Sequence, residues 1–358
     1  MKTRDYVLVN AQTLTDSQTF TKTLEPGKKI QELRCIYQAT NGATSNTLGK
    51  LNGMVSKLEV LDGSDVLHSC SMRQEQANNF FRHGNLPFQQ LKSTAAGVVI
   101  EEAIINFGRF RGDREYYLDT SRFSNCQLSL THALTISATA GFATGTGVLT
   151  VIAKLIEDAA PPCKGFVMSK QVDSYTTLGS GTHPLNLPLK HPYQSLLISD
   201  LETLIEPDVD ITNLKLSIND DSWIPFDLST TRILQDNIAR FGRARQRLEY
   251  LLDTTVTWLG DLYGRASCFV GPAGATSKGL ATTQTAEVSV VAMTTGAGAG
   301  SQLNVVGHAP HSSLYLPFGD GREVDDYLKM EGVTKAELIA TDAAAGGAYS
   351  VVVNQLRS

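Results

Sequence analysis

Apolar and polar positions along the chain alternate mostly at period two. The stretches TFTKTL (19–24), IQELRCIYQA (30–39), MVSKLEVL (54–61), VLHSC (66–70), GVVIEEAIIN (97–106), CQLSLTHALTIS (126–137) and GVLTVIAKLI (147–156) set aliphatic and β-branched residues between Gly, Asn, Asp and Pro clusters. That pattern predicts strands. One segment breaks it. In MRQEQANNFFRH (72–83), Met72, Gln76, Asn79, Phe80 and His83 fall at helical spacing, behind a Ser71 cap and ahead of Gly84, which predicts a helix.

The order of events then repeats. Acids, small residues and a Pro-Pro pair in EDAAPPCK (157–164) read as a linker. Beyond it, 185–189 takes the place of the first strand, and QSLLISDL (194–201) that of QELRCIYQ (31–38). Segments 214–221 and 223–228 parallel 58–63 and 66–70. TRILQDNIARF (231–241) then stops at Gly242 as the first helix stops at Gly84, with Arg232, Gln235 and Asn237 facing Arg73, Gln76 and Asn78.

The ends repeat as well. Laying 110–131 on 318–341 brings Arg114 and Glu115 onto Arg322 and Glu323, and after a short gap Tyr117 and Leu118 onto Tyr327 and Leu328. A gapless likeness between FGRFRGDREYYLDT (107–120) and FGRARQRLEYLLDT (241–254) has more identities but sits elsewhere in the order of elements. It reads as local resemblance on an amphipathic, Arg/Glu-rich helix. The chain therefore divides into two tandem units, 1–160 and 161–358, the second enlarged at about 255–313 by TWLGDLYG, GPAGATSKG, AEVSVVAM and TTGAGAGSQ. An insertion of that composition is expected to run over the surface as a projection.

Composition narrows the function classes. With 42% apolar and 19% charged residues in 358, both units can bury a core. A formal charge of −5 supplies no basic field, so direct sequence-specific nucleic-acid binding is not expected, and the basic stretches 109–114 and 240–247 read as helix faces or interface salt bridges. No apolar run approaches a membrane span and the start lacks a signal-peptide pattern, which implies synthesis in a cytoplasm.

Candidate chemistry is sparse. Cys35, Cys70, Cys126, Cys163 and Cys268 form no CxxC pair and read as reduced, buried hydrophobes rather than a zinc site. His308 and His311 have ligand-like spacing without a third ligand. Asp208, Asp210, Asp220 and Asp221 sit in turn sequences, and Trp223 and Trp258 read as core or interface anchors. No nucleophile elbow or phosphate loop occurs. Arg114–Glu115 and Arg322–Glu323 read as paired structural salt bridges, flanked by Tyr117, Leu118, Tyr327 and Leu328. The reading is of a non-enzyme with no catalytic, cofactor-binding or metal residues.

An all-β chain of two tandem eight-stranded jelly rolls, each with a short helix after its fourth strand, accounts for this order. In the helices MRQEQANNFFRHG and TRILQDNIARFG, the paired ends FRGDREYYLDT and FGDGREVDDYLK, and the late insertion, the chain resembles the double jelly-roll major capsid proteins of tailless icosahedral viruses, many of which infect bacteria and enclose a membrane. The resemblance implies a virion protein whose partners are itself, as a homotrimeric pseudo-hexameric capsomer, then neighbouring capsomers, minor capsid proteins and an internal membrane. It also implies that 255–313 forms an external tower and that 1–17 faces inward. A tandem jelly-roll protein that binds or acts on carbohydrate is the alternative. That reading requires aromatic platforms and paired carboxylates.

Overall fold

Twelve N-terminal elements fold into two facing antiparallel sheets. They are β1 (Thr3–Thr13), β2 (Ser17–Thr23), β3 (Lys29–Thr40), α1 (Leu51–Met54), β4 (Val55–Asp62), β5 (Asp65–Cys70), α2 (Met72–His83), β6 (Gln89–Lys92), β7 (Val98–Asn106), β8 (Leu118–Asp119), β9 (Cys126–Ala133) and β10 (Val148–Ile156). This computed structural model describes residues 2–44, 46, 49–157, 161–200, 206–251, 256–259, 261–271, 278–282, 290–294, 300–343 and 345–358. The strands order as β1-β10-β3-β7 in one sheet and β2-β9-β4-β5 in the other. That interleaving of early and late strands is a jelly roll. Period two decides local burial: β10 buries Leu149, Val151, Ala153 and Leu155, with Val151 opposite Cys35 of β3.

The second unit repeats the plan. It comprises β11 (Phe166–Leu178), β12 (Thr182–Asn186), β13 (Tyr193–Asp200), β14 (Ile211–Ile218), β15 (Trp223–Ser229) and α3 (Thr230–Phe241). An excursion follows through β16 (Ala244–Leu251), β17 (Val256–Leu259), β18 (Leu262–Tyr263), β19 (Ser267–Gly271), β20 (Lys278–Thr282), β21 (Val290–Thr294), β22 (Gly300–Gly307) and β23 (Ala309–Pro310). The unit closes with β24 (Ser313–Pro317), β25 (Ala336–Asp342) and β26 (Ala345–Arg357). Its sheets order as β11-β26-β13-β24 and β12-β25-β14-β15. One core gathers Leu33, Tyr37, Val60, Phe80, Leu128 and Val151, and another Leu196, Leu214, Leu216, Ile233, Leu338 and Val353.

Five expectations need correction. Each helix follows the fifth strand of its unit rather than the fourth, because β1 and β11 open the two units. Residues 3–13, where no strand was expected, form an edge strand paired with β10. They escaped the period-two pattern because β1 is bulged between Val7 and Val9 and between Val9 and Gln12, with Ala11 at φ 45°.

The stretch expected as an Arg/Glu-rich helix is the strand β16, which buries Ala244, Gln246 and Leu248 and exposes Arg245 and Arg247. It joins β6 in parallel at Leu91↔Leu248 and so extends the first unit's sheet through β22 to β19. The insertion is thus not all projection: Leu262, Val305 and Ala309 are buried. Its segments 272–277, 283–289 and 295–299, including most of GPAGATSKG and of TTGAGAG, lie outside the described residues, as does the side chain of Trp258.

The helix alignment also shifts by one residue. The caps are Ser71 and Ser229, each accepting a backbone N–H of its first turn, and the stops are Gly84 and Gly242 at φ 78° and 77°. Asn79 clamps Ile104 of β7 through both its backbone N–H and its carbonyl, and Asn237 does the same to Tyr315 of β24. Arg82 and Arg240 donate to the carbonyls of Gly108 and Gly319. The paired caps, stops, asparagines and arginines each stand 158 residues apart, one fewer than the spacing through Arg73/Arg232 and Asn78/Asn237. Polar identities misled because on α2 most polar side chains are buried for reasons of their own.

Candidate functional site

The two repeated ends meet in space. Gln194 Nε2 donates to the carbonyls of Arg109 (3.1 Å) and Gly321 (2.9 Å) and to Tyr327 Oη (2.9 Å), tying the segment after β7 to that after β24. Backbone bonds from Phe107 to Gln31 and from Phe318 to Gln194 make Phe107-Gly108 the counterpart of Phe318-Gly319. Leu118 pairs with Ile30 and Leu328 with Tyr193, at the starts of β3 and β13. Tyr117, Leu118, Tyr327 and Leu328 are all buried, with Tyr117 Oη donating to the Pro161 carbonyl.

The arginines behave differently from the expectation. Arg114 is exposed, and Glu115 takes its charge partners from Arg109 (3.3 Å) and Lys164 (2.6 Å). Arg109 is the structural arginine: it binds Asp113 through two nitrogens (2.7 and 3.2 Å) and lies 4.3 Å over the Tyr116 ring. Arg322 and Glu323 are not buried, Arg322 standing 5.9 Å from the Phe110 ring. An arginine four residues before an aspartate reaches it across a tight turn, which an Arg-Glu dipeptide cannot do.

A second junction is a buried polar seam. Asp261, just before β18, accepts from Lys50 Nζ (2.8 Å) and Asn52 Nδ2 (3.1 Å), while its backbone N–H donates to Gln246 (3.1 Å). Glu101 of β7 accepts from the Asn52 backbone N–H (3.1 Å), Asn52 Nδ2 (3.0 Å) and Gln76 Nε2 (3.1 Å). His311 Nε2 lies 2.8 Å from Gln76 Oε1. Burial, then the charge of Asp261, pushes the Glu101 carboxyl up to about 7. Against its own burial, Asp261 is held well below the usual carboxylate range by Lys50 and His311. Burial pushes His311 down to about 3. His308 goes elsewhere, with Nδ1 2.6 Å from the Gly242 carbonyl, so the two histidines form no pair.

The third feature is an edge used once and offered once. Within the chain, the outer edge of β5 meets β11 in parallel at Ser69↔Lys170. Beside it α2 is covered from both sides: Gln74 donates to Gln171 (2.9 Å) and Ser350 (2.7 Å), Asn354 donates to Asn78 (3.0 Å), and Phe81 stacks on Tyr315 at 5.1 Å. In the second unit the equivalent strand, β15, ends its sheet, with Trp223 54% and Ile224 40% exposed. Helix α3 leaves Thr231, Arg232, Gln235 and Asp236 in solvent, and a cavity of about 260 Å³ opens between it, β15 and β24. Opposite in the order of elements, β1 is the equivalent of β11, ends its own sheet, and exposes Val7.

No protein-family model and no curated protein matches the sequence. Solved structures do. The major capsid protein of Sulfolobus turreted icosahedral virus superposes with a TM-score of 0.62 at 11% identity, over 99% of this chain and 96% of that one. The major capsid protein P2 of bacteriophage PM2 gives 0.54 at 10% identity, over 100% and 98%. A capsid model of the virus PBCV-1 gives 0.56 at 8% identity, over 99% and 93%. The chain has the double jelly-roll fold of major capsid proteins.

Within a double jelly roll, the residues that tie the two rolls together were the hardest to read from the sequence. Gln194 is such a residue, and Arg109, Asn79 and Asn237, which fix turns and helices within their own units, were equally hidden. A signal existed for the last two, since each lies five residues before the glycine that stops its helix. Asp261 and His311 carried none, because their partners come from four separate stretches of chain.

Proposed function

We propose that this chain is the major capsid protein of an icosahedral virus and that its units, taken as 1–160 and 161–358, are the two lobes of a homotrimeric, six-lobed capsomer. The observation that carries the reading is the edge contact of β5 with β11, whose two halves recur, unpaired among the described residues, as the sheet-ending strands β15 and β1. A junction that joins unit one to unit two inside a chain then joins unit two to unit one of the next chain. Such a heterologous contact closes into a ring or runs on as a filament, and three chains supply six equivalent junctions for a closed ring. Closure also covers the apolar side chains Trp223, Ile224, Leu228 and Val7 and removes two open sheet edges. Capsomers then tile against one another in the virion shell, where the second unit's excursion supplies the outer surface.

Charge at one edge tests this. In Trp223→Glu combined with Ile224→Lys, the folded chain is expected to remain monomeric where the unaltered chain forms trimers with six-lobed projections in negative stain. Trimers that persist in the variant place the contact elsewhere.

A further inference from the structure

The equivalence of the two units exposes an anomaly at the corner where the fifth strand turns into the helix. Leu58 pairs with Cys70 across β4 and β5 as Leu214 pairs with Leu228 across β14 and β15, and Ser71 and Ser229 cap the helices that follow. His68, Cys70 and Glu75 of the first unit therefore occupy the places of Phe226, Leu228 and Ile233 in the second. The fold accepts three apolar side chains there. The first unit instead buries an imidazole, a thiol and a carboxylate, each with 1% exposure or less.

These groups converge on one another. One ligand-type atom from each lies within 4.8 Å of the other two. His68 Nε2 and Glu75 Oε2 face each other as an ion-pair contact at 3.2 Å, and among the described residues neither atom has an aligned hydrogen bond. Glu75 Oε1 is by contrast engaged by Asn79 Nδ2 at 3.3 Å, which orients the carboxylate and leaves Oε2 facing the histidine and the thiol. A buried pair at that distance without an aligned proton is the spacing of two ligands on one ion: bonds of roughly 2.0–2.3 Å at tetrahedral angles separate N, O and S ligands by roughly 3.2–3.8 Å.

We propose that His68, Cys70 and Glu75 bind a thiophilic divalent cation, of which Zn²⁺ is the type. The ligand set fits borderline-soft chemistry, with imidazole nitrogen, thiolate sulfur and carboxylate oxygen. The charges close. Binding releases the Cys70 thiol proton to solvent, and thiolate plus carboxylate neutralise the +2 ion around a neutral imidazole. The site pins β5 to the first turn of α2, the helix enclosed between the two units. The sequence concealed it because a His-x-Cys-x4-Glu spacing has no CxxC element.

The test uses the full chain. Metal content is measured after gel filtration in chelator-free buffer, and the protein is then stripped and reloaded with Co²⁺. One zinc per chain and a thiolate-to-cobalt charge-transfer band are expected. Cys70→Ser is expected to abolish the band, and His68→Phe with Cys70→Leu and Glu75→Ile, which copies the second unit, to reduce bound metal to background in a folded chain. A chelator is expected to lower the melting temperature of the unaltered chain only. Background metal together with a featureless cobalt spectrum in the folded, unaltered chain would overturn the proposal, as would a charge-transfer band that survives in Cys70→Ser.

Discussion

Replacing Glu101 by Gln exposes the energetics of the buried seam. Glu101 has a folded-state pKa of about 7 against an ordinary 4.5, so the folded chain holds a proton that the unfolded chain has released between those values. Stability from this group is fully present below about pH 4.5 and is lost as pH rises through 7, at up to about 1.4 kcal/mol per unit and about 3 kcal/mol in all. His311 works in the opposite sense. Its value is depressed to about 3 from 6.5, so the unfolded chain gains a proton the folded chain refuses, and that contribution is lost as pH falls below 6.5. Between pH 4.5 and 6.5 the two nearly cancel in the unaltered chain, and only a difference measurement separates them. Denaturant midpoints for the unaltered chain and Glu101→Gln, at one protein concentration from pH 4.5 to 8, supply it. The substitution places an amide against N–H donors from Asn52 and Gln76, a fixed cost that does not vary with pH. The variant is expected to gain about 3 kcal/mol relative to the unaltered chain across that range. A pH-independent difference would refute the reasoning.

Arg109→Ala removes the buried partner of Asp113 and is expected to cost about 3 kcal/mol in denaturant unfolding, whereas Arg114→Ala stays within about 0.5 kcal/mol. Asn79→Ala and Asn237→Ala each strip a strand of two hydrogen bonds and leave buried backbone groups unpaired, so each is expected to lower stability by about 2–3 kcal/mol, with near-additive losses in the double variant. Lys50→Met leaves Asp261 buried without its cation and is expected to destabilise by about 3 kcal/mol at pH 7 and by much less near pH 3, where carboxylates gain protons; parallel melts at the two pH values read it.

Period-two alternation made the interior strands legible, and α2 was legible to the residue because Ser71 and Gln74 form a reciprocal capping box and Gly84 stops it. The opening strands were not. β1 is bulged and half in solvent, and β11 runs from the buried Phe166, Val167 and Met168 into the polar run Lys170 to Thr176, so neither keeps a clean period. β16 was legible in principle, since ARQRLEYL alternates, but its likeness to 107–120 drew it toward a helix. The likeness has no structural counterpart: Phe107-Gly108 leaves a strand and Phe241-Gly242 leaves a helix. The seam was invisible for a deeper reason. Lys50, Gln76, Glu101, Asp261 and His311 are brought together only by the docking of the second unit's excursion on the first, and a one-dimensional pattern carries no trace of that packing.

Solution mass of the purified chain by light scattering bears most directly on the account. An edge contact used once within the chain and offered again at β15 and β1 predicts a particle of about three times 38.7 kDa that does not grow further in dilute solution. A stable monomer at micromolar concentration, with β15 and β1 left open to solvent, would contradict it.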